Sequence, residues 1–315
     1  MDKNRALMID SAVVAGRKPV LRQMTWSTMR QTVWGGNNTV QSASMPVYDT
    51  GTIRSQSLFE FRELIRYRFL VSNLVARDLK VRYKRSVLGF IWVMLSPLLT
   101  MGVLVIVFSN FFGRFQLAHY PVYLLCGILI FTLFAQASVA AMSNLSGNGS
   151  VLRRMYVPPS VFVASAIGSA LINLLFSIVP FFALAFINGV RPTIMWVFII
   201  VPCLETALFS FGVGLIVAPL MVFFNDTYEI YTVLLTVLNY LTPVFYPTSI
   251  LPKWVQQVEN YNPLFLFIQS ARDAVIYNQY SNPGMLIGAA GSAIGAFIIG
   301  WLFFAQMEGK FAYHF

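Results

Sequence analysis

Five basic residues, Arg77, Lys80, Arg82, Lys84 and Arg85, stand against a single acid, Asp78, within nine positions. After Ser86 the chain turns apolar and carries no charge through Phe112. Cations abutting about 20 apolar residues fix the cytoplasmic end of a first membrane helix, because Lys and Arg resist translocation. The same cations attract anionic lipid. A net charge of +10 resembles a nucleic-acid signal, yet 15 of the 22 Lys and Arg lie in residues 1–86. Charge confined to a membrane flank speaks for topology and lipid contact, not for nucleic acid.

Little else in the chain has the types and spacing of a catalytic centre. His119 and His314 are isolated, and Cys126 and Cys203 lie in apolar runs without metal-ligand spacing. No GxxxxGK[ST] phosphate loop occurs. This chain is therefore expected to be no enzyme, and to hold no cofactor or metal. Glu205 is the one acid well inside an apolar run, where a charge costs on the order of 3 kcal/mol. A protonated Glu205 bonded to Thr206, Ser210 or a neighbouring helix is the expectation.

The composition demands a membrane: 57% hydrophobic and 11% charged residues, with mean hydropathy +0.68. Residues 1–56 are polar, without periodicity, and read as a disordered cytoplasmic extension. Across 57–86, Leu58, Phe61, Leu64, Ile65, Phe69, Val75, Ala76 and Leu79 recur at helical spacing, with Glu63, Arg66, Arg77 and Lys80 opposite. That pattern predicts an amphipathic helix lying in the interface, open to a soluble partner. Residues 87–315 then form an all-α transmembrane domain of six spans, near 88–112, 121–143, 160–188, 194–223, 229–246 and 284–305. Counting basic residues gives 18 inside against 4 outside, which places both termini in the cytoplasm. Gly284, Gly288, Ser292, Ala296 and Gly300 recur every fourth position in the sixth run and predict a close helix–helix seam.

Two loops depart from plain turns. Gly147–Pro159 is short, basic and cytoplasmic, and a brief helix would put Val151, Leu152, Met155 and Tyr156 on one side, before Pro158 and Pro159 stop it. The outer segment 247–283 is too long for a turn and too broken for a span. Within it Asn262-Pro263 reads as an N-cap with proline at the first helical position, followed by the apolar Leu264–Ile268. A broken re-entrant helix in the outer leaflet fits this, since irregular backbone at that depth needs shielding by protein or water.

The string RDLKVRYKRSVLGFIWVMLSPLL resembles the entry to the first membrane helix of type-2 ABC exporter permeases, above all those of O-antigen polysaccharide or wall teichoic acid. Gly-Asn-Gly followed by Leu-Arg-Arg-Met-Tyr-Val-Pro is similar to that family's coupling loop. Thr242-Pro243-Val244-Phe245-Tyr246-Pro247, Leu251-Pro252, Asn262-Pro263-Leu264 and Arg272 look like its extracellular gate. The resemblance covers about residues 57–310. It implies a homodimeric channel in the bacterial inner membrane, bound to two copies of a separate ATPase that holds ATP and Mg. The cargo it implies is a polyprenyl-diphosphate-linked polysaccharide (lipopolysaccharide O-antigen) or teichoic acid. Ser150, Val151, Leu152, Arg153, Arg154, Met155 and Tyr156 would couple to the ATPase. Arg82, Lys84 and Arg85 would meet the lipid diphosphate through charge-assisted contacts. Trp92, Tyr240, Phe245, Tyr246, Asn262, Pro263 and Arg272 would line channel and gate. Rival readings are a drug or small-lipid exporter of the same fold and an ion-coupled secondary transporter. A single mid-span acid and no evident internal repeat weigh against the latter.

Overall fold

The computed structural model describes residues 62–84, 88–89, 91–112, 119–154 and 157–314, without the side chains of 83, 109–112, 153–154 and 308–314. The extension at 1–56, the start of the interface segment with Leu58 and Phe61, and Arg85, Met155 and Tyr156 lie outside the described residues.

Every regular element among the described residues is helical. After a helical turn at 62–66 come α1 (Arg68–Tyr83), α2 (Ile91–Phe112), α3 (Tyr120–Gly147), α4 (Gly149–Arg154) and α5 (Ser160–Ile187). A 3-10 turn, Ile194–Ile199, leads into α6 (Ile200–Phe223) and then α7 (Thr227–Leu241). The outer segment holds a 3-10 turn at Thr248–Ile250, α8 (Lys253–Glu259) and α9 (Pro263–Val275), before the long α10 (Pro283–His314). α3 is the central helix, buried along most of its length between α5 and α6, whereas α2 stands at the periphery.

Among the described residues five helices are long and apolar enough to cross a membrane: Ile91–Phe108, Tyr120–Gly147, Ser160–Ile187, Ile194–Phe223 and Pro283–Met307. The protein is thus a multi-pass membrane protein. The expected span near 229–246 is shorter than the sequence implied. α7 has 15 residues, about 22 Å at 1.5 Å per residue, against roughly 30 Å of hydrocarbon. Pro243 explains the early stop: it disfavours helical backbone at the residue before it, and Thr242 is extended at ψ 134.

The helix at 62–83 forms, and one of its apolar sides packs on the bundle. Leu64, Tyr67, Leu70, Val71, Leu74 and Val75 pack against the bundle, chiefly α5. Ile65 and Phe69 point away, 56% and 71% exposed. The segment carries apolar residues on two faces, one against the bundle and one open. Asp78 fixes the docking, accepting from Asn144 Nδ2 at 2.9 Å, while Arg77 Nη1 donates to Asn148 Oδ1 at 3.2 Å. α1 is therefore bolted to the elbow between α3 and α4.

The small-residue seam is present. Ala296 and Gly300 bring the backbone of α10 onto Gly212 of α6, with no room for a side chain at either glycine.

Candidate functional site

A cavity of ≈360 Å³ runs between α2, α3 and α5 beneath the end of α7. Helical spacing puts Trp92, Ser96 and Thr100 on one face of α2, at i, i+4 and i+8, and all three line it. Thr132 and Gln136 come from α3, Asn173 and Ser177 from α5, and Asn239 from α7. Asn173 Nδ2 donates to Gln136 Oε1 at 3.4 Å. Gln136, Asn173, Ala170 and Arg82 also line a second hollow of ≈570 Å³ that opens towards Arg77, Asn144 and Asn148. The two hollows adjoin through these shared residues, and hydroxyl and carboxamide groups recur along their mostly apolar walls from Asn148 to Asn239. Their ionisable residues, Arg77, Asp78 and Arg82, sit together at one end. Asp78 is taken up by Arg77, at 3.1 Å, and Asn144. Among the described residues Arg82 has no carboxylate partner.

The far end is capped by the loop Thr242–Pro247, whose prolines remove backbone donors while its carbonyls still need partners. Those partners come from α9 and α3. Arg272 is fully buried and donates from Nη1 to the Pro243 carbonyl at 3.0 Å and from Nη2 to the Val244 carbonyl at 2.8 Å. The hydroxyl of Tyr120 donates to the Phe245 carbonyl, and that of Tyr123 to the Tyr246 carbonyl, each at 3.2 Å. Four successive carbonyls thus have side-chain donors. The guanidinium also lies 3.5 Å from the centroid of the Tyr123 ring, so ring face and carbonyl dipoles offset the burial of its charge. Gly127, a turn beyond Tyr123, leaves the space: a Cβ there would come within 2.8 Å of Arg272 Nη2.

α9 is held in register from both ends. Asn262 Oδ1 accepts from the Leu264 amide at 3.1 Å, the expected N-cap, with Pro263 at the first position. Asn262 Nδ2 donates to Thr242 Oγ1 at 3.1 Å and Glu259 Oε2 at 3.0 Å. Burial pushes the Glu259 carboxyl above the usual carboxylate range, and the Asn262 bond opposes that rise. At the other end Asp273 accepts from Gln269 at 2.9 Å and from Ser281 at 2.8 Å.

Of the expected channel and gate residues, Trp92 and Phe245 line the cavity together with Arg82. Tyr240 is exposed, its ring 6.0 Å from that of Phe245, and the Tyr246 hydroxyl donates to the Tyr240 and Leu241 carbonyls. Asn262, Pro263 and Arg272 belong to the clamp behind the loop, not to the cavity wall. Lys84, just past the end of α1, is exposed. In α4 Ser150 is exposed, while Val151 and Leu152 pack inward on the core beside α1. Glu205 departs from expectation. Thr206 and Ser210 donate to carbonyls of their own helix, Pro202 and Thr206, and Glu205 Oε2 has no partner among the described residues. Gln136, Asn173, Tyr120, Tyr123 and Gly127 were not singled out from the sequence. The i, i+3, i+7 spacing of the last three on one helix was the available signal.

The chain is similar to known proteins. The profile of the family described as ABC-2 type transporter matches residues 70–276. An O-antigen export system permease protein, RfbA, of Klebsiella pneumoniae is 28% identical over 205 residues, 65% of this chain and 79% of its own. RfbA of Myxococcus xanthus is 33% identical over 190 residues, 60% of this chain and 72% of its own. The polysialic acid transport protein KpsM of Escherichia coli is 23% identical over 218 residues, 65% and 81% of the two chains. From the basic entry of α1 to the end of the clamp helix α9, this chain belongs to the ABC-2 type transporter family, whose permeases work with a separate ATPase subunit.

Proposed function

We propose that the chain is the membrane permease of an ATP-driven exporter that moves a polysaccharide, such as an O-antigen, outward across the bacterial inner membrane. One observation carries this reading: the polar groups lining the two adjoining hollows are hydroxyls and carboxamides, set among apolar side chains, with ionisable residues at only one end. Neutral donors and acceptors suit a sliding polyhydroxylated chain, because many weak exchangeable bonds make no deep trap. The relatives' names agree, one being an O-antigen export system permease protein and another a polysialic acid transport protein. The basic-residue count puts both termini and the Arg82 end in the cytoplasm. In this arrangement α7 and the loop after it complete a sixth crossing, and α8 and α9 sit at the outer surface. Two copies enclose the path, facing each other across α2 and α7, whose exposed sides carry Ser96, Thr100 and Thr236. A separate ATPase, holding ATP and Mg, docks on 150–156 and on α1. The Asp78–Asn144 bond lets its closure move both together.

Arg82, Lys84 and Arg85 meet the diphosphate of a polyprenyl carrier at headgroup depth. Replacing all three with Gln is expected to cut export severely while leaving folded protein unchanged. Unchanged export would remove the diphosphate assignment. The path itself is tested by Ser96→Trp, which fills the cavity from an exposed position on α2. Surface polysaccharide in cells carrying only this variant should fall by at least an order of magnitude, with the ATPase still co-purifying. Normal polymer levels would place the path elsewhere.

A further inference from the structure

Beyond the clamped loop lies a groove of ≈760 Å³ between α8, the start of α9 and the start of α10. Gln257, Asn260 and Tyr261 form one wall and Asn282 the other, with Gly284 and Gly288 contributing backbone floor one turn apart. No Asp, Glu, Lys, Arg or His lines it. The amides of Gln257 and Asn260 make no side-chain hydrogen bond among the described residues. Asn282 uses only Oδ1, accepting from the Gly284 amide at 2.9 Å, which leaves its NH₂ open. Tyr261 is 86% exposed. The floor is clear as well: a Cβ on Gly288 would make only ordinary contact, 3.4 Å from Leu266 Cδ1.

We propose that this groove is a saccharide subsite that holds the exported chain as it leaves the gate, a proposal resting on the polysaccharide-export reading. Three carboxamides present paired donors and acceptors, the pattern that vicinal hydroxyls satisfy. The Tyr261 ring adds a face for the C–H side of a sugar ring. An anionic headgroup would need a cation that the groove lacks, and an acyl chain would strand the amides without partners. The volume lies within the roughly 300–1,000 Å³ of ligand sites and admits a short oligosaccharide. A neutral, hydroxyl-rich ligand is the chemistry that remains.

The test is made in intact cells on the full-length permease with its ATPase. Asn260→Cys is labelled with a membrane-impermeant maleimide in cells that make the polymer and in cells lacking its first glycosyltransferase. Labelling is expected to be severalfold slower where polymer is made, and adding Tyr261→Ala should abolish the difference. Equal rates in the two strains would overturn the subsite, as would protection that survives Tyr261→Ala or labelling only after permeabilisation. Surface polymer is measured in the same cells. If it is exported while the rates are equal, the subsite alone falls. If none is exported by a folded wild-type complex, the export reading falls and takes the subsite with it.

Discussion

Arg272→Ala is expected to cost about 3–5 kcal/mol of stability and to abolish export. The figure follows from what the change strands: two buried carbonyls, Pro243 and Val244, each lose their donor at about 1–3 kcal/mol, and bonds from a charged donor sit at the upper end of that range. The packing of the guanidinium on Tyr123 goes with them. Lysine does not rescue, because a single ammonium cannot hold two carbonyls with the planar fork of arginine. Gly127→Leu should give the same defect without touching Arg272. Its Cβ alone would come within 2.8 Å of Arg272 Nη2 and 3.0 Å of the Val244 carbonyl oxygen. Because both changes open one clamp, the double variant should be much less destabilised than the sum of the two. The readout is the unfolding temperature of the purified permease, with surface polymer as the functional measure. An Arg272→Ala protein as stable as the wild type would mean that the Pro243 and Val244 carbonyls find donors elsewhere.

That clamp marks how far the sequence could be read. The five spans were legible because unbroken apolar runs have one solution in a bilayer, and the Asn262-Pro263 cap was legible because it is local. Arg272 stood out by its charge, but its partners Tyr120, Tyr123 and Gly127 lie far upstream, and no local pattern joins residues across that separation. The polar path was invisible for a related reason. Gln136 and Asn173 are lone amides in apolar runs, and only the crossing of α3 with α5 turns them into one wall. The helix at 62–83 shows the opposite difficulty, too much signal. Its two apolar faces both satisfy helical spacing, and docking through Asp78 and Asn144 decides between them. The fifth run ends earlier than its apolarity implies, because Val244, Phe245 and Tyr246 continue the apolar pattern although Pro243 has already ended the helix.

The seam between α6 and α10 allows a test in which one residue type gives opposite results along the chain. A Cβ at Gly212 would run into the backbone of Ala296 and Phe297, and one at Gly300 into the Gly212 carbonyl. Backbone cannot rotate aside as a side chain can, so the helices must separate. That movement would disturb the row of tilted rings in which Phe211, Phe297 and Trp301 follow each other at 5.5 and 5.8 Å. Gly212→Ala is therefore expected to cost on the order of 3 kcal/mol, the upper range for overpacking. Gly212→Leu should leave little folded protein. Gly291 and Gly295 lie on the same α10 with open space where a Cβ would go. There alanine removes only the entropic penalty of glycine in a helix, and Gly291→Ala should gain about 0.5–1 kcal/mol. Equal unfolding temperatures for Gly212→Ala and Gly291→Ala would mean that α6 and α10 do not meet backbone to backbone. The four-residue stripe would then face a partner outside this bundle, and the small side chains of α10 would belong to assembly, not to the fold of one chain.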